Sequence, residues 1–335
     1  QNLRGEIGTP VTITILRGES MQFDVTLIRA LIEVPTVKFG MIENSSIGYA
    51  RLIQFTPETA PRLQEALDFF DSKDYTGLII DLRDNPGGLI TSAVDVADKF
   101  VNEGPVVTTK SRLFYENHQY SASSEKTTVK NNIPIVVLIN RGSASASEIV
   151  SGALKDYHLA YLVGECTYGK GSVQQVIPLS NTDGIKMTMA RYYTPSDVNI
   201  DKTGIPPDLE VLNMQKMNAE QEELYMQMIK SEIITKTVDM NPEMTEEQIA
   251  LEAETIAKDY PFEQRILRRL LRVQVQRHQT TPLYDLDWDL QLNKAIEILQ
   301  SGGFDELIKS TKTLKELQDE KNLLETNSEK MAVAQ

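Results

Sequence analysis

Lys170 stands between two glycines in Gly169-Lys170-Gly171-Ser172-Val173-Gln174, 25 residues after Ser145 in the small-residue run Gly142-Ser143-Ala144-Ser145-Ala146-Ser147. A serine hydroxyl becomes a useful nucleophile only beside a base. Histidine is the usual base, and the chain has three: His118, His158 and His278. None sits in a glycine-rich turn. His118 is expected in the polar loop 115–120, and His278 in a basic helix near Arg277. His158, following the helix that begins at Ser147, is the rival base. A lysine can take the role only when neutral, and desolvation favours the neutral form. Gly169 and Gly171 would let the backbone pack around the amine. No Asp or Glu lies between Thr167 and Ile177 to hold it charged. The Gln174 amide could accept a hydrogen bond from the amine and orient it without adding charge. The alternative is a tight turn before a helix, with Lys170 on the surface and Gln174 a solvated strand residue beside Gln175.

Chemistry alone leaves Ser143, Ser145 and Ser147 open as nucleophile. Ser147-Glu148 reads as a helix N-terminus, which places Ser145 just ahead of N–H groups that lack internal partners. The Ala146 N–H could then point at an oxyanion formed on a substrate bound to Ser145. A second donor should come from another segment. Asn85-Pro86-Gly87-Gly88 is the candidate, since glycine allows close backbone approach; in isolation it reads as an ordinary Pro-Gly turn.

The elements that must position these residues alternate strand and helix. Gly48–Phe55 reads as a strand, and Thr56-Pro57-Glu58 as a helix start with threonine as N-cap and proline at the first helical position. Leu63, Ala66, Leu67 and Phe70 share one helical face. Gly77–Leu82 and Ile133–Ile139 are continuous apolar runs, as expected of strands covered on both sides. Helices are expected over Thr91–Val101 and Ser147–Lys155. This alternation predicts an α/β core over residues 33–211. Before it, Val11, Ile13 and Ile15 alternate with Thr12, Thr14 and Leu16, then a turn at Arg17-Gly18-Glu19-Ser20 and a second alternation at Phe23, Val25 and Leu27. After it, glycine nearly vanishes and Glu, Gln, Lys, Leu and Met dominate. Helices are expected over Glu247–Ala257, Phe262–Val275 and Leu290–Leu299, with a frayed, charged stretch at Lys312–Gln335.

Four motifs follow in order: Asp84-Asn85-Pro86-Gly87-Gly88 after a strand, Gly142–Ile149, Gly169–Gln174, and Tyr193-Thr194-Pro195-Ser196 before Gly204-Ile205-Pro206-Pro207-Asp208. Together they resemble the carboxyl-terminal processing peptidases, or tail-specific proteases, of the S41 serine peptidase family, over roughly residues 1–211. The resemblance implies a crotonase/ClpP-like core. It places the nucleophile on Ser145, the base on Lys170 and a supporting glutamine on Gln174. The oxyanion donors fall on Ala146 and on Gly87 or Gly88. Residues 1–32 look like the last third of a PDZ domain, without most of its peptide groove. In many relatives a segment resembling Asp289–Ala295 follows soon after the Pro-Asp motif, so 212–287 reads as a module inserted into the helical region 212–335. The resemblance also implies protein substrates cut near their C-termini, in a bacterial periplasm or cell envelope. Its rivals are a crotonase-like acyl-CoA enzyme, which needs two N–H donors but no Ser–Lys pair, and a catalytically inactive peptide-binding scaffold.

The 335-residue chain is 41% hydrophobic and 24% charged, ordinary for a globular protein. Its net charge of −14 disfavours nucleic acid or anionic membrane as partner. No apolar run approaches the roughly 20 residues of a membrane helix. Cys166 is the sole cysteine, so no intramolecular disulfide can form; it reads as a buried strand-end residue. No histidine or cysteine set has metal-ligand spacing and no glycine loop suits a phosphate, so neither metal nor cofactor is expected. The chain starts at Gln1 without a signal peptide and is expected to be an internal fragment or a processed product. The helical module is expected to shape substrate access, or to pair subunits into a homo-oligomer through apolar faces such as Ile266, Leu267, Leu270 and Leu271.

Overall fold

The computed structural model describes residues 3–17, 21–31, 35–112, 117–130, 132–180, 183–278 and 281–333. Two units divide the chain, residues 1–35 and 36–335.

The first unit is an antiparallel hairpin of β1 (Pro10–Arg17) and β2 (Met21–Ile28), with Ile13 opposite Val25 and Ile15 opposite Phe23. These four are half-buried while Thr12, Thr14 and Asp24 are exposed, as period-two alternation requires. The expected turn at 18–20 lies outside the described residues.

The second unit is built on a six-stranded sheet in the order β12-β9-β8-β5-β4-β3. Its strands are β3 (Val37–Met41), β4 (Ile47–Leu52), β5 (Gly77–Asp81), β8 (Ile135–Ile139), β9 (Tyr161–Gly164) and β12 (Leu209–Glu210). All neighbours are parallel except β3 with β4. Every residue of β5 and β8 is buried, because helices cover both faces. On one face lie α1 (Thr59–Asp71), α2 (Ile90–Ala97) and α3 (Ala146–Asp156), with Leu63, Val96 and Val150 against Leu78, Ile80 and Val137. On the other lies α8 (Leu290–Gln300), whose Leu292, Ala295 and Ile298 meet Tyr49, Ile79, Val136 and Val163. Thus α8, expected within a C-terminal helical region, forms a layer of the core. A second sheet, β10-β11-β6-β7, comprises β6 (Gly104–Lys110), β7 (His118–Ala122), β10 (Ser172–Pro178) and β11 (Gly184–Tyr193).

Several elements start elsewhere than the sequence suggests. The first helix begins at Thr59, with Glu58 as its N-cap. Thr56 instead accepts the Glu58 N–H (3.3 Å) in a turn preceding it. His118 opens strand β7 rather than lying in a loop, and accepts a backbone hydrogen bond from the Thr109 hydroxyl. Leu314–Val333 is a 20-residue helix, α10, where fraying was expected.

Helices α4 (Ala219–Ser231), α5 (Ile233–Met240), α6 (Glu246–Ile256) and α7 (Gln264–Val275) enclose a core of their own, around Met228, Val238, Ile249, Ala253, Leu267 and Leu271. This corrects the expected subunit face. Leu267 and Leu271 are fully buried in this core, with Leu270 partly buried against it, and Ile266 is buried too, so these side chains are not free to meet a second copy.

Candidate active site

Ser145 is the N-cap of α3 and holds φ 57°, ψ −112°, a conformation L-residues rarely adopt. Strain of this kind costs about 1–3 kcal/mol and persists only where neighbours enforce it. Here they do. Ser143 is fully buried, its hydroxyl donating to Leu82 O (2.8 Å) and accepting from Asn140 N (3.0 Å). Ser147 is fully buried and donates to Asn85 O (2.9 Å). Two flanking serines therefore pin the turn, and Ser145, half-buried, is the least buried of the three.

The Ala146 N–H has no acceptor among the described residues, as expected of the first turn of a helix. Facing it is Gly87, at φ 97°. A Cβ there would stand 2.6 Å from Ala144 O and 2.8 Å from both Ala146 N and Ser145 Cβ. Glycine leaves this space open. The Gly87 N–H turns inward to Asn85 Oδ1 (2.9 Å), whereas the Gly88 N–H has no acceptor among the described residues. Asn85 is buried and holds the two loops together: its carbonyl accepts from Ala144 N (3.0 Å), and its amide donates to Leu52 O (2.9 Å).

Glu148 joins the Lys170 loop to this turn, and sequence reasoning missed it. Its carboxylate is fully buried. Oε2 accepts from Ser145 N (2.8 Å) and Lys170 N (2.9 Å). Oε1 accepts from Gly169 N (2.7 Å) and the Thr167 hydroxyl (2.6 Å). The spacing Ser145-x-x-Glu148 is that of a capping box, the signal that could have found it. Tyr192, buried on β11, is a second missed residue; its hydroxyl donates to Lys170 O and contacts the Ser145 side chain. Burial, and then the Glu148 charge, push the Tyr192 phenol well above its ordinary value, so it stays protonated.

Two expectations about the lysine need correction. Gly169 and Gly171 do not make room around the amine. They admit the backbone of the 201–204 loop: a Cβ on Gly169 would meet Gly204 N at 2.9 Å, and one on Gly171 would meet Asp201 N at 2.5 Å. Nor is the loop free of acids, since Glu148 and Asp201 reach its backbone N–H groups from elsewhere in the chain. They satisfy the backbone; no carboxylate among the described residues pairs with the half-buried Lys170 amine. Gln174 lies on β10, exposed, opposite Thr188, and makes no hydrogen bond to Lys170 among the described residues.

The rival base is far away. His158 follows the C-terminus of α3, about 18 Å of helix from Ser145, with Nδ1 on the Thr311 hydroxyl (2.7 Å). Cys166 contacts Thr203 O (3.4 Å), and burial, then the Glu148 charge, raise its thiol above the ordinary range, which suits no nucleophile. Asp208 of the Pro-Asp motif bonds the buried Lys155 amine and Leu162 N (2.8 Å), anchoring the far end of α3 to β9. Among the described residues no cluster of three His, Cys, Asp or Glu could hold a metal, and no helix is long and apolar enough to cross a membrane. A cavity of about 790 Å³ lies apart from Ser145 and Lys170, neither of which lines it; Arg51, Asp84, Asn140, Glu165, Arg272 and Trp288 are among its walls.

Known proteins resemble this chain over part of its length. The profile of peptidase family S41 matches residues 46–211. The chain is 44% identical over 214 residues to a carboxy-terminal-processing protease of Bartonella bacilliformis, covering 62% of this chain and 48% of that one. It is 39% identical over 210 residues to a carboxyl-terminal-processing protease of Synechocystis, with the same coverage of 62% and 48%. Among solved structures, a photosystem II D1 C-terminal processing protease is 32% identical, covering 62% of this chain and 56% of that chain, with a TM-score of 0.46. The chain thus spans about half the length of the curated relatives it matches.

Proposed function

We propose, from the premise that residues 46–211 belong to peptidase family S41, that the chain carries the catalytic part of a serine endopeptidase that cuts protein substrates near their C-termini. The observation that carries this reading is the strained Ser145 turn, joined to the Lys170 loop through one oxygen of Glu148. A crotonase-like acyl-CoA enzyme needs the two N–H donors but gives no reason to hold a serine hydroxyl in that strained turn.

In this reading Lys170, as the free amine, removes the Ser145 proton while Oγ attacks the scissile carbonyl. The oxyanion that forms is bound by the N–H groups of Ala146 and Gly88, both without an acceptor among the described residues. Gly87 serves by its missing side chain. The ammonium of Lys170 then returns the proton to the leaving amine, and water, deprotonated by the same lysine, releases the acyl group. Glu148 and Tyr192 are positioning residues that hold the two loops in register. Gln174 is assigned to orient the amine once substrate is bound, since catalytic hydrogen bonds often tighten only in the complex. We further assign the β1–β2 hairpin to the end of a PDZ domain, residues 212–287 to an inserted helical module, and the protein to a bacterial envelope or periplasm, in keeping with the bacterial relatives.

The test uses β-casein, an unfolded protein of known C-terminus, with products read by mass spectrometry. The wild-type chain should release C-terminal fragments, and Ser145→Ala should release none while keeping its circular dichroism. A variant that cleaves at the wild-type rate removes Ser145 from the mechanism.

A further inference from the structure

Arg83 lies two residues before Asn85, the residue that joins the Gly87–Gly88 turn to the nucleophile loop. Its guanidinium donates all five of its N–H groups to buried acceptors. Nε and Nη2 go to the two oxygens of Asp81 (2.9 and 2.6 Å), and Nη1 and Nη2 to the two oxygens of Asp289 (2.7 Å each). The fifth, from Nη1, reaches Gln291 Oε1 (2.9 Å). Asp289 is the N-cap of α8, accepting Leu292 N (3.0 Å), and Gln291 donates to Val211 O (2.7 Å). Asn213, some 75 residues earlier in the chain, donates to both Asp289 Oδ1 and Gln291 Oε1 (3.4 Å each). The residues flanking the α4–α7 module therefore meet each other at the base of the oxyanion turn.

The geometry points to Asp289, with Asn213 and Gln291, as positioning residues for catalysis: through Arg83 they fix the segment that leads into Asn85-Pro86-Gly87-Gly88. This rests on the peptidase reading. The physical case is rigidity. Two bidentate carboxylates leave a guanidinium one orientation. The Arg83 N–H also donates to Asp81 Oδ1 (2.9 Å), so side chain and backbone are fixed together. An oxyanion donor is effective only when held where charge develops. Asp289 touches no reacting atom, so its loss should lower turnover and spare substrate affinity.

The experiment is steady-state cleavage of β-casein by the full chain, well below its melting temperature, with kcat and KM measured separately. The rate of Ser145 labelling by a fluorophosphonate, which also needs the oxyanion donors, is measured alongside. Asp289→Asn keeps an acceptor for Leu292 N and removes the charge. It should lower kcat by about tenfold or more, slow labelling in parallel, and leave KM within about threefold. Asn213→Ala, at a half-buried site, should do the same to a smaller extent, and it decides the matter if Asp289→Asn does not fold. Asp287→Ala, which breaks only a half-exposed pair with Arg268 and Arg272, should match wild type. Wild-type kcat and labelling in a folded Asp289→Asn, or failing that in Asn213→Ala, overturn the proposal. So does a change confined to KM. A wild-type chain that neither cleaves nor labels would instead overturn the peptidase reading.

Discussion

At the scale of single residues, the chemistry depends on a proton that Lys170 can accept. An arginine in its place cannot do this, because guanidinium does not deprotonate in proteins. Lys170→Arg should therefore lose essentially all cleavage of β-casein while its melting temperature stays near wild type. Substantial activity in that variant would mean that residue 170 serves only as a fixed positive charge. Gly87 makes a separate demand. Its φ of 97° and the 2.8 Å approach to Ala146 N leave no room for a methyl group. Gly87→Ala should reduce kcat by about a hundredfold or more, the scale of losing an oxyanion donor. An alanine variant with wild-type kcat would show that the turn has slack enough to admit a side chain in front of the Ala146 N–H.

At the scale of elements, the site is the meeting of three strand ends and one helix start. Strands β5 and β8 deliver the Asn85 turn and the Ser145 turn side by side because they are adjacent and parallel. The loop after β9 brings Lys170 back over α3, where Glu148 collects it. The Asp81–Arg83 pair at the end of β5 makes this arrangement sensitive to acid. Burial alone would raise the Asp81 carboxyl, but the Arg83 guanidinium outweighs it and holds its pKa below the usual range. Asp81 thus binds its proton more weakly folded than unfolded. The stability it supplies is complete above the unfolded value of about 3.9 and is lost as pH falls through the lower folded value. Asp81→Asn should cost about 1.5–3 kcal/mol at neutral pH, the scale of a charged hydrogen bond, since it removes one of the two carboxylates that hold the buried Arg83 charge and leaves Asp289. It should also flatten the loss of stability below about pH 4. Urea titrations across pH check both, and a parallel offset at every pH would contradict the linkage.

At the scale of the whole molecule, helices α4–α7 carry an apolar core distinct from the two that sandwich the six-stranded sheet. Leu271 is fully buried there. Leu271→Glu places a charge where no partner waits, a change expected to cost more than about 3 kcal/mol. Hydrogen exchange should show protection falling across 219–275 while β5 and β8 keep theirs. Equal loss in both regions would mean that module and sheet unfold as one cooperative unit.

The sequence by itself determined the buried strands, the helix after the serine run, the hairpin alternation and the four motifs. Each is a local pattern: an unbroken apolar run, a face of Leu63, Ala66, Leu67 and Phe70, a glycine pair after a strand. It left open which serine is least buried in the turn, and it did not see what Glu148, Tyr192 and Asp289 bond to. It also offered Ile266, Leu267, Leu270 and Leu271 to substrate access or a partner chain, and α8 to an appendage. The reason is the same throughout. Hydrophobic periodicity says that a face is buried but not against what, and a carboxylate's role depends on donors that lie far off in sequence. Glu148 looks like a helix cap until folding carries Thr167, Gly169 and Lys170 to it. Only the tertiary structure decided that Glu148 and Asp201 satisfy the backbone of the lysine loop, and that among the described residues no carboxylate pairs with its amine.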